Sequence, residues 1–441
     1  MISPIVTDEI TMTETIFAPA TAAGVGAIAM IRISGADADA ALTALTRLPL
    51  PALRVASVRQ LHDAGGDVLD EALVIRFAKG ASFTGESSVE VQCHGGRAVV
   101  RAILMALAAV PRLRLAEPGE FTRRALEAGR LDLAQVEGLA DLVAAETDAQ
   151  RRQALRQMDG VLSRRVEAWR KDLIRARALI EAVIDFVDDD VPLDVTPEVS
   201  DLLTRLDAGL TVALDGAKAA ERVRSGFEIA LIGPPNAGKS TLLNALAGRD
   251  VAITSEIAGT TRDVIEVSMD LNGLAVTVLV TAGLRETLDP LESMGIERAM
   301  QRARGADLRI LLDPDGDADQ SLLQLGDLVV RSKADLTSAA SGFRVSARSG
   351  AGMSELLVEI GTILASRVLD ASELSRMRHH TAVYAAQSLV CSAQRGLAQN
   401  GELELIAEDL RLATSALESV IGRVDAERIL DDIFSTFCLG K

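Results

Sequence analysis

Gly233-Pro234-Pro235-Asn236-Ala237-Gly238-Lys239-Ser240 constrains what this chain can fold into more than any other segment. Two glycines, separated by four residues, stand ahead of Lys-Ser. The apolar stretch Phe227-Glu228-Ile229-Ala230-Leu231-Ile232 leads into it, and Thr241 to Leu246 follows with helical spacing. That is the strand, loop and helix a phosphate-binding loop requires. Glycine lets the backbone N–H groups turn inward, and the helix start adds its positive dipole end. In that setting Asn236, Ala237, Gly238, Lys239, Ser240 and Thr241 surround a nucleotide's phosphates. Lys239 reaches the β- and γ-phosphates, and the Ser240 hydroxyl is a Mg²⁺ ligand.

A length of 441 residues predicts two or three domains. Aromatic residues are only 2% while apolar residues reach 48%, with Ala and Leu dominant, which predicts much helix. The net charge of −17 argues against a basic nucleic-acid-binding surface over the whole molecule and leaves room for a local patch. There is no run of roughly 18 apolar residues of the kind that spans a membrane. The N-terminus, with Asp8, Glu9 and Glu14, does not read as a signal peptide. Cys93, Cys391 and Cys438 are far apart and show neither disulfide nor zinc spacing, which fits a reducing cytoplasm. Cys93 and Cys391 sit in apolar runs and read as core.

The first part of the chain mixes strands and helices. Ala27 to Ile33 and Ser88 to Cys93 read as strands, and Ala98 to Val110 as a helix. From Leu131 to Val187 the pattern is long and helical, with Ala154, Met158, Leu162, Val166 and Trp169 at three- and four-residue steps. Asp188 to Pro192 ends it. Leu271-Asn272-Gly273 between two apolar runs predicts a hairpin. After Leu369 the chain is helical again. Two organisations fit: a nucleotide domain inserted into a helical domain, or three independent domains in a string.

Downstream, Leu328 to Arg331 leads into Ser332-Lys333-Ala334-Asp335. A carboxylate at Asp335 can accept from guanine N1–H and the exocyclic amine, and Lys333 can lie over the base. Ser332 stands where an Asn is usual, losing an amide but keeping a hydroxyl. Ser346 and Ala347 fall where backbone N–H groups reach the base. This favours GTP over ATP. Gly259, Thr260, Thr261, Arg262 and Asp263 lie where a first switch loop belongs, with Thr261 completing the Mg²⁺ shell, and Ser255, Glu256, Ile257 and Ala258 just before them are counted with the nucleotide site. Thr281, Ala282 and Gly283 form the second switch. Val280 precedes them where Asp is usual, and a Val cannot accept a hydrogen bond. Leu284 occupies the position of a water-orienting Gln and cannot orient water.

These motifs, together with Thr15 to Thr21, Ile31 to Gly35, Phe83 to Glu86, Cys93 to Gly96, Glu117 to Thr122, Leu131 to Gln135, Ala282 to Glu286 and the ending Phe437-Cys438-Leu439-Gly440-Lys441, resemble the MnmE (TrmE) tRNA-modification GTPases over nearly the whole chain. The resemblance implies a multidomain α/β plus α protein. Its N-terminal α/β folate-binding domain (1–127) dimerises, a helical domain spans 128–222 and 370–441, and an inserted Ras-like P-loop G domain covers 223–369. It implies a homodimer with K⁺ in place of an arginine finger, ligated by Asn236, Ser255, Ile257 and Thr260. Glu292 would orient the attacking water. Arg32, Glu90, Arg130 and Lys441 would hold 5,10-methylene- or 5-formyl-tetrahydrofolate, with Cys438 a reactive tail thiol. The resemblance further implies a cytoplasmic enzyme acting on tRNA wobble uridine with the FAD-dependent partner MnmG (GidA). A stand-alone regulatory GTPase in ribosome or RNA maturation, and a nucleotide-sensing scaffold of low turnover, are the alternatives.

Overall fold

A computed structural model describes residues 14–185, 194–248, 265–280, 300–336, 343–369, 371–423 and 440. The chain divides into two compact units, residues 1–137 with 421–441, and residues 138–420.

The first unit is built on β1 (Thr15–Pro19), β2 (Ile28–Ser34), α1 (Ala38–Thr46), β3 (Ser57–His62), β4 (Val68–Phe77), β5 (Ser88–His94), α2 (Arg97–Ala108), β6 (Leu113–Leu115) and α3 (Glu120–Glu127). Its six strands run in the order β3-β4-β5-β2-β1-β6, antiparallel except for the β1–β6 pair. Side chains alternate across a strand, and the sequence follows that period. Ile31 and Ile33 on β2 join Val89, Val91 and Cys93 on β5 in a core that includes Leu42 and Leu45 of α1 and Ile103 and Leu107 of α2. The alternate residues therefore face the other side of the sheet, where Ile16, Ala18, Ala116 and Phe121 form a second small core.

The second unit contains α5 (Asp148–Met158), α6 (Val161–Asp185), α7 (Thr196–Asp215), α8 (Ala217–Ser225), β7 (Phe227–Ile232), α9 (Lys239–Ala247), β8 (Ile265–Leu271) and β9 (Leu274–Val280). It continues with β10 (Leu308–Leu312), β11 (Leu328–Arg331), β12 (Phe343–Arg344), α10 (Met353–Arg367), α11 (Met377–Ala398) and α12 (Leu403–Val420). A further helix, α4 (Leu133–Ala144), crosses the boundary between the units. The sheet runs β12-β11-β10-β7-β9-β8. All its pairs are parallel except the β8–β9 hairpin. Asn272 (φ 54°) and Gly273 (φ 85°) make the hairpin turn, and the Asp270 carboxylate accepts from Gly273 N at 2.7 Å. Two left-handed central residues give the turn whose twist matches its strands.

Helices before and after this sheet in sequence pack on each other. On α6, Leu162, Val166, Trp169, Leu173, Ala176 and Ile180 are buried, and on α12 Ile406, Leu410, Ala413 and Leu417 are. Arg170 of α6 donates to Glu418 of α12 at 2.6 Å, and Gln387 of α11 donates to Asp207 of α7 at 3.1 Å. The chain enters and leaves the sheet domain side by side: Ser372 N donates to Gly216 O at 3.1 Å and Arg224 Nε to Ser375 O at 2.9 Å. The nucleotide-type domain is thus an insertion in a helical bundle, not one bead of a string.

Two expectations need correction. The stretch from Leu131 is helical as expected, but its three- and four-residue steps do not lie on one continuous helix. It breaks at 145–147 and again at Gly160, whose φ of 75° suits glycine. Across that second break the inward position is Gln157, accepting from Ser375 Oγ at 2.9 Å, while Met158 is only half-buried. A three- and four-residue period runs on through a break that changes the phase of the helix. Cys391 is half-buried beside Asp207 rather than core, whereas Cys93 is 2% exposed. Asp188 to Pro192 lie outside the described residues.

Leu173 is fully buried between the helices. Leu173→Ala is expected to lower stability by about 3 kcal/mol, the usual cost of a core Leu→Ala cavity, as read by chemical denaturation. A loss below about 1 kcal/mol would show that the bundle is not packed there.

Candidate functional site

Strand β7 ends at Ile232 and the chain turns sharply at Gly233, with φ 142°. A Cβ there would stand 2.4 Å from the Leu312 carbonyl oxygen of the neighbouring strand β10. Only glycine lets the loop pass so close to that backbone. Asn236 then takes a left-handed φ of 62° and Gly238 one of 97°, so the loop curls back over the start of α9. Gly238 N-caps that helix without a side-chain hydrogen bond, which leaves its first N–H groups available to an anion. Lys239 is 6% exposed and its Nζ donates to Gly233 O at 2.8 Å and Pro234 O at 2.9 Å. Burial pushes its pKa below the ordinary lysine value. Ala237 is buried, while Asn236, Ser240 and Thr241 are exposed.

The second loop of the site follows β11. Ser332 is 5% exposed and its hydroxyl donates to the Ala237 carbonyl at 2.6 Å. One hydrogen bond therefore ties the base-reading loop to the phosphate loop. Lys333 is half-buried and left-handed, with φ 59°. Asp335 is exposed and accepts from Ser346 Oγ at 2.7 Å. That hydroxyl holds its carboxyl below the usual carboxylate range, so Asp335 is an ionised acceptor at neutral pH. Ser346 is buried and Ala347 half-buried beside it. Six of the site positions read from the phosphate loop and four of those read near the base are thus brought together, with Lys333 at the turn between them. Val280 ends β9, is 8% exposed and packs into the sheet core. Among the described residues no group of three or more His, Cys, Asp or Glu could hold a metal. Ser255, Glu256, Ile257, Ala258, Gly259, Thr260, Thr261, Thr281, Ala282, Gly283 and Glu292 lie outside the described residues.

A separate arrangement sits on the face of the first unit's sheet that carries its smaller core. Arg32 and Glu90 are register partners on β2 and β5 and form an ion pair at 3.0 Å. The Arg32 guanidinium lies 5.2 Å from the Phe83 ring centroid and 5.7 Å from that of Phe121, within cation–π range. Arg32, Glu90, Phe77, Phe83, Thr84 and Ser88 line a cavity of about 170 Å³. Arg130 is exposed and donates to Gly80 O at 3.2 Å, at the base of the loop that carries Phe83.

The segments Phe83 to Glu86 and Glu117 to Thr122 are tied to each other through Arg124. Glu86 accepts from Arg124 at 3.1 Å and from Ser34 at 2.7 Å. Glu120 accepts from Arg114 at 2.6 Å and from Arg124 at 2.9 Å. Burial alone would raise the pKa of Glu120, but these partners leave it lowered. The network fixes the loop that places Phe83 over Arg32. Cys438 and Lys441 lie outside the described residues. Gly440 is buried against the end of β1, where a Cβ would come within 2.0 Å of the Pro19 carbonyl oxygen.

A parallel sheet with one antiparallel edge hairpin, a phosphate-type loop after its first strand and a Lys-x-Asp loop after β11 define a P-loop nucleotide-binding domain of the GTPase class. Comparison with known proteins makes this specific. Residues 15–130 match the family described as GTP-binding protein TrmE N-terminus, and residues 133–438 match the MnmE helical domain. A Cereibacter sphaeroides protein named tRNA modification GTPase MnmE is 55% identical over 97% of this chain and 100% of its own length. One of the same name from Dinoroseobacter shibae is 52% identical with the same coverage. The chain belongs to the MnmE family of tRNA modification GTPases. Among solved structures, Aquifex aeolicus Era bound to GDP·AlF4⁻ is 29% identical, covering 31% of this chain and 56% of that one. The TM-score of that match is 0.26.

The state of Lys239 gives a test of sign. In the protein alone, burial holds its pKa under the ordinary 10.5. A polyphosphate beside it restores the preference for the charged form. Nucleotide binding then takes up a proton at alkaline pH, and affinity falls as pH rises through the lowered pKa. Titration of a guanine nucleotide should show affinity falling more steeply with alkaline pH in wild type than in Lys239→Arg, whose guanidinium keeps its proton while both proteins meet the same loss of the guanine N1 proton. Equal pH dependence in the two would place Lys239 away from the phosphates.

Proposed function

We propose that this chain is a K⁺-dependent GTP-hydrolysing enzyme that works with the FAD-dependent partner MnmG (GidA). Together they install the aminomethyl or carboxymethylaminomethyl group at C5 of the tRNA wobble uridine. The observation that carries the nucleotide part is the buried Ser332–Ala237 hydrogen bond, which sets an ionised Asp335 at a fixed position relative to Lys239. An ionised carboxylate accepts from guanine N1–H and the exocyclic amine, and adenine offers no such pair of donors. Lys239 and the N–H groups at the start of α9 take the phosphates. Ser240 and Thr241 are exposed at that helix start, and Ser240 suits a Mg²⁺ ligand. Thr261 is its proposed partner from the first switch. Asn236 offers a side-chain carbonyl to K⁺, with Ser255, Ile257 and Thr260 as the remaining proposed ligands. A monovalent cation there neutralises charge developing between the phosphates. Glu292 is the proposed water-orienting group, because Leu284 cannot serve.

The cavity beside Arg32 fits a reduced folate. Glu90 can accept the paired N–H groups of a pterin edge, Phe83 supplies an apolar wall, and Arg130 with Lys441 suits the glutamate tail. The bound folate would supply the one-carbon unit. Arg32 orients the Glu90 carboxylate through their 3.0 Å contact. A homodimer in the cytoplasm, domain limits at 127, 222 and 369, and a reactive Cys438 complete this reading. Val280 favours a second reading, a nucleotide-sensing scaffold of low turnover, since a buried valine gives a Mg²⁺-bound water nothing to donate to.

In a strain lacking the gene, the wild-type chain is expected to restore the wobble-uridine modification. Gly440→Ala should restore it several-fold less while the purified variant keeps its GTP turnover, because its Cβ would meet Pro19 O at 2.0 Å and displace the tail. Unmodified tRNA in the presence of the wild-type chain would favour a stand-alone regulatory GTPase instead.

A further inference from the structure

We infer that this protein does not read N7 of the guanine base, and that Ser332 is the residue that decides this. The inference rests on the reading of this site as a guanine-nucleotide site. Guanine presents three recognition features on its edge. N1–H with the exocyclic amine needs an acceptor, and Asp335 is an ionised one. O6 needs a donor, and the backbone N–H of Ala347 is left to supply it, since that of Ser346 donates to Ala351 O at 2.9 Å. N7 is a bare acceptor, so only an N–H or O–H directed at it can recognise it.

The residue at the head of the base-reading loop is Ser332. A hydroxyl carries a single proton. At 5% exposure, Ser332 already commits that proton to the Ala237 carbonyl at 2.6 Å. Its remaining capacity is as an acceptor, which cannot bond to N7. Were the proton turned to the base, the buried Ala237 carbonyl would lose its side-chain partner, at the cost that attends unsatisfied buried polar groups. A carboxamide at the same place has two N–H donors and can brace the loop and read N7 together. Ser332 keeps the brace and gives up the reading.

The test compares GTP, 7-deaza-GTP and ATP, each displacing a fluorescent guanine nucleotide from the full-length protein. In 7-deaza-GTP a C–H replaces N7 and nothing else on the recognition edge changes. Wild type should bind GTP and 7-deaza-GTP with affinities within about twofold of each other. Ser332→Asn should prefer GTP by roughly three- to tenfold, the span of one added hydrogen bond. Ser332→Ala, which removes only the brace, should weaken both guanine nucleotides alike. A wild-type preference for GTP over 7-deaza-GTP of fivefold or more would overturn the inference, and it stands as a test even where Ser332→Asn does not fold. Equal binding of the two by a folded Ser332→Asn would overturn the assignment of residue 332. Failure to prefer GTP over ATP would instead remove the guanine reading itself, and this inference with it.

Discussion

The pinch between Gly233 and the Leu312 carbonyl is the contact on which the nucleotide domain depends. No side chain fits in that gap, since a Cβ would lie 2.4 Å from the oxygen. The loop is therefore seated directly on β10, and its path over α9 is set by backbone rather than by side chains. Every described residue proposed to touch a nucleotide hangs from that seat. Lys239 is held by the Gly233 and Pro234 carbonyls, Ala237 is pinned by Ser332, and Ser332 places Asp335. A site fixed by backbone contacts and these three hydrogen bonds needs little reorganisation when a ligand arrives, which is where electrostatic preorganisation comes from.

The insertion extends that rigidity outward. Helix α5 donates from Gln150 to Arg224 O at 3.0 Å and from Gln153 to Ala220 O at 2.8 Å, gripping the helix that leads into the domain. Its first turn meets the β8–β9 hairpin, where Ala149 N donates to Gly273 O at 3.0 Å. On the exit side, Ser375 bonds to Gln157 of the same helix. A single helix thus touches the entrance, the exit and one hairpin of the inserted domain. Contiguous packed elements of this kind can carry coupling between a nucleotide site and a helical bundle.

Much of this was legible in the sequence because short-range chemistry fixes it. The phosphate loop needs its glycines at set positions, Asn272-Gly273 can hardly be other than a hairpin turn, and the alternation on Ile31, Ile33, Val89 and Val91 dictates which face Arg32 and Glu90 occupy. What escaped was set by contacts between distant residues. The break at Gly160 hides inside an unbroken helical period, and the buried position of Gln157 depends on Ser375, far along the chain. Cys391 reads as core from its apolar neighbours, yet a polar residue of another helix, Asp207, stands against it. The three-residue β6 and two-residue β12 are too short to carry a pattern. The role of Glu86 and Glu120 could be read only once Arg124 was seen between them.

Two positions set this chain apart from the pattern its motifs otherwise follow. Ser332 replaces an amide and keeps the structural part of its work. Val280 replaces a carboxylate and joins the hydrophobic core instead. Under the proposed function, turnover survives the second change because a monovalent cation, with Asn236 and the first switch as its proposed ligands, stabilises the developing charge. The most direct test is GTP turnover by the purified protein in KCl against NaCl, at matched ionic strength with Mg²⁺. The account predicts marked stimulation by K⁺. Turnover that is equal in both salts, or absent in both while GTP stays bound, would contradict it.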